Sequence, residues 1–588
     1  MLNRVASIAL PRIALTRRIT GQIHVESVVF WCAIATIAFL VLWPVLWLVA
    51  GSFYSNNGHL TLQHWREAAA APFMLEAIRN TLVVSILGTV AAVAVGVPLA
   101  FLVGRTDVPG ARVFEMISLV PFITPPIVSG VAWIILGDRE AGLLNILLGD
   151  LGLGHWFNVL TLGGLIFVSS LYMVPFVFFL TVGPMRQINL ELEEASLVCG
   201  ASRIGTIFGV SFPLLLPAIT SGALLAFMYS NNLFGIHAVI GRPAGVWMLT
   251  TAIYASMNIM PVDFQRAAIQ GLVLLAFAAS AIWLQARVVR KRGYATLTGK
   301  GFRVERVALG HWRWAAFALC SFYVFVVAVL PYTVIILRSL SRYSFQPGTS
   351  WFAALRNADF SEYADALFYN DASQRAITNS LWISVIAAAV AIGLAAIAAY
   401  ITQRTELRGR NALAFVCMIP LTLPGVVLGV AAIFGYTTYP FALYGTIWII
   451  ILTYIAKDLP LAFQAADTSL RQIHTELEDS ARLCGASWLR QFLTVSLPLA
   501  RPGMVVGFVM VFASMTREVG ASILLFSPGN EIFAYTIFNA WEEGRWQAMT
   551  SFIVINSVVV LACIAVVLPL SRLSFVNVAA RRAKASSP

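Results

Sequence analysis

The sequence predicts an all-α polytopic membrane protein, with twelve transmembrane helices arranged as two parallel six-helix repeats. Three observations carry this reading. Charged residues are 11% and hydrophobic residues 59% of the 588 positions, whereas soluble domains carry about 25% charge, so water-facing cores could not hide this much apolar surface. The apolar residues gather in twelve runs, each near the roughly 20 residues that cross a bilayer as helix. Landmarks of the first half return in the second at fixed offsets, the mark of an internal repeat.

The first run, near 28 to 51, follows a basic stretch with Arg4, Arg12, Arg17 and Arg18. It is longer than a signal-peptide core of about 7 to 15 residues and reads as a retained helix. The other runs fall near 79 to 103, 113 to 136, 159 to 183, 212 to 231, 266 to 286, 314 to 337, 379 to 401, 411 to 436, 443 to 466, 499 to 525 and 549 to 570. Basic residues concentrate in alternate connections, at Arg105 and Arg112, at Arg287 to Arg313, at Arg404 to Arg410 and at Arg572 to Lys584. Lys and Arg in short loops favour the cytoplasmic side. Both termini are therefore expected in the cytoplasm, and the net charge of +12 reads as orientation, with no nucleic-acid partner. The six cysteines lie in spans or on the cytoplasmic side, and form no extracellular disulfide framework.

The segment Glu191 to Ser202 (ELEEASLVCGAS) recurs 285 positions later as Glu476 to Ser487 (ELEDSARLCGAS). Pro175, Ser211, Pro213 and Pro217 recur at the same offset as Pro460, Ser496, Pro498 and Pro502. Asn80, Arg105, Gly110, Pro121 and Pro125 recur at offset 299 as Asn379, Arg404, Gly409, Pro420 and Pro424. The offset changes because the first half has a longer connection near 137 to 158. Six spans precede the basic linker and six follow, so the copies share one orientation, and the halves are read as 1–295 and 296–588.

Between spans four and five of each half lies a segment too polar to span, 186–213 and 471–498. Ile188, Leu192, Ala195 and Cys199, and in the copy Ile473, Leu477, Ala481 and Cys484, have helical spacing and read as one apolar face. Gly200 and Gly485 suit the left-handed turn that ends such a helix. Ser202 and Ser487 suit the cap of a second one, which is expected to end before Pro213 and Pro498. A connector has no need of one turn geometry twice; a rigid helix pair joined to two spans suits transmission of movement from a cytoplasmic partner.

Glu194-Ala195-Ser196-x-x-x-Gly200 and Asp479-Ser480-Ala481-x-x-x-Gly485 resemble the EAA motif of permease subunits of binding-protein-dependent ABC importers. The resemblance covers nearly the whole chain as two fused halves, and is greatest to the ferric-iron permease group. It implies a type I permease in a bacterial inner membrane, with partners in two copies of a cytoplasmic ATPase, which hold the ATP and Mg, and in a periplasmic substrate-binding protein. It also implies an ATPase-docking set of Glu193, Glu194, Ala195, Gly200 and Ala201 with Glu478, Asp479, Ser480, Gly485 and Ala486. Asp479, Ser196 and Ser480 depart mildly from the family pattern. The chain carries no G-x-x-x-x-G-K-[ST] phosphate loop, so no catalytic residue and no cofactor of its own is expected.

Charges within spans are functional candidates because insertion at mid-membrane costs about 2.5 to 3.5 kcal/mol. Two adjacent pairs stand out, Lys457-Asp458 and Arg517-Glu518. Neighbours on a helix do not face each other, so each member needs a separate partner. Arg517 falls opposite Asn232 in the repeat, and Asn231, Asn232, Arg517 and Glu518 are expected to line the translocation path or its gate. Lys457-Asp458 reads as a snorkelling structural pair near the cytoplasmic end of span ten. The scattered histidines offer no metal cluster. Pro121, Pro125, Pro126, Pro420 and Pro424 are expected to kink or break span three of each half. Trp65, Phe73, Trp351, Phe352 and Tyr363 in the longest outer loops suit a binding-protein surface or an aromatic belt. The alternative, an ion-coupled secondary transporter, requires mid-membrane carboxylates and no paired docking segments.

Overall fold

A computed structural model describes residues 25–54, 59–188, 190–291, 306–342, 356, 358–437 and 440–585. Arg4, Arg12, Arg17, Arg18, Lys300, Arg303, Trp351 and Phe352 lie outside the described residues. The described chain is helical, with two isolated β-bridges and no strand. Ten of its helices are long and apolar enough to cross a membrane.

The third crossing of each half is broken, as its prolines predict. In the second half it is the pair Arg410–Thr422 and Gly425–Tyr436, bent by 113°. In the first it is three pieces, Ala111–Ile117, Val120–Ile123 and Pro126–Gly137. The prolines account for the break as expected. Pro125 and Pro424 sit with extended backbone just before the last piece of each crossing, and proline lacks the N–H that would continue the helical ladder. Gly110 and Gly409 start these crossings at φ +73° and +97°, a conformation that costs glycine little.

The prediction that a helix would end before Pro213 and Pro498 is not met. Ile207–Ser211 and Phe492–Ser496 form π-turns that run directly into span five and span eleven. In the widened turn the residue before each proline reaches back five positions, from Phe212 to Ile207 and from Leu497 to Phe492. That shift relieves the clash a proline makes in a regular α-turn. Span eleven itself ends at Thr516, with a separate short helix at Ser522–Leu525.

The halves interlock through their first helices. Span one, Val25–Phe53, packs on Gly425–Tyr436 of the other half. Trp43 donates to the Gly435 carbonyl at 2.7 Å, and a Cβ on Gly51 would meet the Phe434 ring at 2.5 Å. Leu330–Ser339 of span seven packs reciprocally on Pro126–Gly137, with Tyr332 and Thr124 hydroxyls 2.6 Å apart. Two short helices, Leu249–Asn258 and Phe533–Glu542, are pinned by one bracket in each repeat. Asn80 donates to the Trp247 carbonyl (3.1 Å) and Asn379 to that of Glu531 (3.0 Å). Thr81 and Ser380 accept from the N–H groups of Leu249 and Phe533.

Candidate functional site

At the turns between spans four and five, each half presents a short helix, Leu190–Val198 or Thr475–Leu483. Gly200 and Gly485 follow at φ +87° and +80°. No atom lies within 4 Å of where their Cβ atoms would sit, so the backbone conformation and not space calls for glycine. Ser202 accepts from the Gly205 N–H at 3.0 Å and Ser487 from that of Arg490 at 3.4 Å, the caps expected of them.

Each short helix is tied down by a charged strut. Arg105, at the end of span two, donates to Glu193 at 2.7 Å and to the Ile188 carbonyl at 3.1 Å, and Ser211 donates to Glu193 at 2.6 Å. Arg404 donates to Glu478 (3.2 Å) and to the carbonyls of Leu470 and Ile473, while Ser496 donates to Glu478 at 2.8 Å. Such charge-assisted bonds are the stronger kind, and here they lock the helix to the spans on either side. Glu194 and Asp479, one position on, are exposed. So are two equivalent apolar residues, Val198 at 87% and Leu483 at 90%. The chain's own packing gives these two no reason to stand out in water.

Where the halves meet, a cavity of about 320 Å³ lies between the broken third crossings and spans four, five, ten and eleven. Its four charges, Lys457, Asp458, Arg517 and Glu518, all come from the second half. Lys457 Nζ donates to Glu518 Oε2, and Glu518 Oε1 accepts from the Ala521 N–H at 3.0 Å. Ser514 donates to Asp458 Oδ1 at 2.8 Å. Arg517 crosses to Tyr172 of the first half at 3.4 Å, and Tyr172 donates in turn to the Thr124 carbonyl. The repeat places Tyr172, Met173, Asn232 and Leu233 at the positions equivalent to the four charges.

A second contact between the halves is the bond from the Gly425 N–H to Asn232 Oδ1 at 3.0 Å. It has no mirror image, because the repeat puts Pro126 opposite Gly425 and proline has no N–H. Gly425 is also needed for space, since a Cβ there would lie 1.9 Å from Glu518 Oε1. Near the short helices the halves meet again. Arg242 pairs with Glu542 at 2.9 Å, Tyr254 donates to Glu542 at 3.2 Å, and Phe234 and Tyr254 pack on Phe538.

The two halves thus carry matched helix–glycine turns on either side of a shared cavity. The chain matches the family of binding-protein-dependent transport system inner membrane components over residues 88–294 and again over 391–584. It belongs to that family. The permease is 26% identical to a putative ferric transport system permease protein of Haemophilus influenzae, over 85% of this chain and 78% of that one. It is 25% identical to a ferric transport system permease protein of Actinobacillus pleuropneumoniae, over 90% and 76%. A chain from the crystal structure of a bacterial ABC transporter involved in the import of the acidic polysaccharide alginate is 18% identical, with a TM-score of 0.37 over 44% of this chain and 95% of its own. The permease is thus a multi-pass inner-membrane subunit of an ABC importer and not an enzyme. Its energy comes from a separate ATPase, and a substrate-binding protein works with it.

The geometry sorts the residues singled out in the sequence. Glu194, Ala195, Gly200, Asp479, Ser480 and Gly485 lie on the exposed side of the short helices and turns, with Ala201 and Ala486 half-buried. Glu193 and Glu478 turn inward to Arg105 and Arg404, so they position the helix from behind. Of the apolar face inferred from the spacing, Ile473 is buried and Ile188 packs on the core, whereas Leu192, Cys199, Leu477 and Cys484 are exposed: within the short helices themselves the inner face is held by ions. Asn232, Arg517 and Glu518 line the cavity. Asn231 does not; it is buried beside Ser85 at 3.2 Å. Lys457 and Asp458 were expected near the cytoplasmic end as a snorkelling pair, but they sit ten residues into Ile447–Arg471, about 15 Å along the helix, and line the cavity. Lys457 has the Glu518 carboxylate within reach and so has no need to snorkel. The repeat held this signal, because Tyr172 and Lys457 are equivalent positions.

Proposed function

We propose that this permease carries ferric iron or a related small solute through the cavity between its halves, driven by two ATPase subunits seated on 190–198 and 475–483. The reading rests above all on the matched struts Arg105–Glu193–Ser211 and Arg404–Glu478–Ser496. They make each short helix rigid toward the spans while leaving Glu194, Asp479, Val198 and Leu483 facing out. Two such surfaces call for two ATPase subunits, which carry the ATP and Mg; this chain binds neither. With these turns in the cytoplasm, the basic connections and both termini fall on the same side. The binding protein then delivers cargo at the opposite face, near the short helices 249–258 and 533–542. Iron as cargo is supported by the names of the ferric relatives.

In this arrangement the contacts Arg517–Tyr172, Gly425–Asn232 and Arg242–Glu542 hold the path closed toward the binding protein. ATP-driven closure of the ATPases against the two short helices would rock the halves and break them, a shift between two states biased by partners. The test is co-purification with the ATPase. Gly200→Pro/Gly485→Pro forces φ to about −65° at positions that sit near +80° to +87°, and should abolish ATPase binding while the spans stay folded. Retained binding by a folded double variant would refute the docking assignment.

A further inference from the structure

Asp458 is 6% exposed and lines the cavity. Ser514 satisfies its Oδ1, but Oδ2 accepts no hydrogen bond. A buried carboxylate oxygen without a donor is costly, and it belongs to a residue that lines a space of about 320 Å³. Glu518, just past the end of span eleven, has its Oε2 held by Lys457 Nζ. The four charges of the cavity therefore sum to zero with Lys457 in place.

We propose that Asp458 and Glu518 form a transit site for a multivalent, oxygen-seeking cation, in which Lys457 is a tethered stand-in for the cargo. This deepens the functional reading above and rests on its placing the path in this cavity. Carboxylates are the ligands that hard cations favour. With Lys457 on Glu518 the cavity is neutral and offers one unsatisfied oxygen to an arriving cation. The long flexible stem of lysine lets its ammonium leave, and the cation then meets two carboxylates. When the cation departs, the ammonium returns, so the Glu518 carboxylate is paired with a cation at both stages. No cluster of three or more His, Cys, Asp or Glu exists among the described residues. Two carboxylates contested by a lysine make a weak site, and a conducting path needs weak sites so that cargo can leave. Arg517 stays on Tyr172 of the other half and disfavours entry of two cations at once.

The test uses the full permease–ATPase complex in lipid nanodiscs with Tb³⁺ as the probe, titrated by its aromatic-sensitised luminescence. Lys457→Gln removes the stand-in and should tighten Tb³⁺ binding by about tenfold; adding Asp458→Asn should abolish that gain. An unchanged titration in Lys457→Gln, or a gain that survives Asp458→Asn, would overturn the proposal. Should Lys457→Gln fail to assemble, the isosteric Asp458→Asn alone must lose one saturable Tb³⁺ site relative to the parent complex, and an identical titration would overturn the proposal equally. Uptake of radioactive ferric iron by whole cells separates the two readings. Tb³⁺ behaviour as expected without iron uptake keeps the cation site and removes iron as cargo; iron uptake with unaltered Tb³⁺ titrations keeps iron and removes the site.

Discussion

Gly425 shows how one residue joins the two halves. Its N–H reaches Asn232 across the interface and its missing Cβ leaves room for Glu518. Gly425→Ala should displace the Glu518 carboxylate from Lys457 and cost about 1 to 3 kcal/mol by overpacking, seen as a lower melting temperature with reduced uptake. Asn232→Leu leaves the same N–H unpaired, and should cost about 1 to 3 kcal/mol with Glu518 undisturbed. At this scale the sequence exposed the unusual residues but not their partners. The inequality of Asn232 and Arg517 follows from one offset. That Lys457 meets Glu518, or that Asn231 turns away while Asn232 turns in, depends on how separate spans are rotated against each other, which no local periodicity encodes. Glu193 and Glu194 differ for the same reason, since only the position of Arg105 decides which carboxylate faces inward.

The short helices 190–198 and 475–483 are elements whose place is set by ions. Their helix–glycine–helix plan was legible because capping and left-handed turns are local chemistry, and Gly200, Gly485, Ser202 and Ser487 carry it. Their buried side was not, because apolar spacing is a guide to packing only where packing is apolar. Arg105→Ala or Arg404→Ala removes one partner of a buried ion pair, a loss of about 3 to 5 kcal/mol where the pair is fully enclosed. The helix should then loosen from its spans while still meeting the ATPase. The expected outcome is hydrolysis that continues while uptake falls, measured as cargo moved per ATP; a parallel fall in both would contradict the strut role. The broken third crossings were likewise foreshadowed by their prolines, although the 113° bend depends on the first helix of the opposite half filling the angle.

Across the whole molecule, the Arg242–Glu542 pair ties the halves together beside the short helices 249–258 and 533–542. Both side chains are about a third exposed, so the pair is worth under about 1 kcal/mol, enough to move a two-state balance by up to about fivefold. Glu542→Gln should open that end more often, raising the reactivity of a cysteine placed at Asn232 toward a membrane-impermeant thiol reagent; unchanged labelling would mean the pair does not hold the closed state. The offsets of 285 and 299 made the twofold plan legible from sequence. The exchange of first helices between the halves was not, because nothing in Val25–Phe53 distinguishes a neighbour in its own half from one in the other.

The placement of all four cavity charges in one half has a consequence for stoichiometry. A permease assembled from two identical chains would have to show every charge twice, and two Lys457–Glu518 pairs with two copies of Arg517 would crowd one passage. A pairing of two first halves would show none. Linking one copy of each in a single polypeptide enforces a one-to-one ratio and so admits an odd-handed passage inside an even-handed frame. Severed between residues 291 and 306 and produced as two polypeptides, the halves should transport only when both are present, and neither alone, at any dosage, should replace the pair.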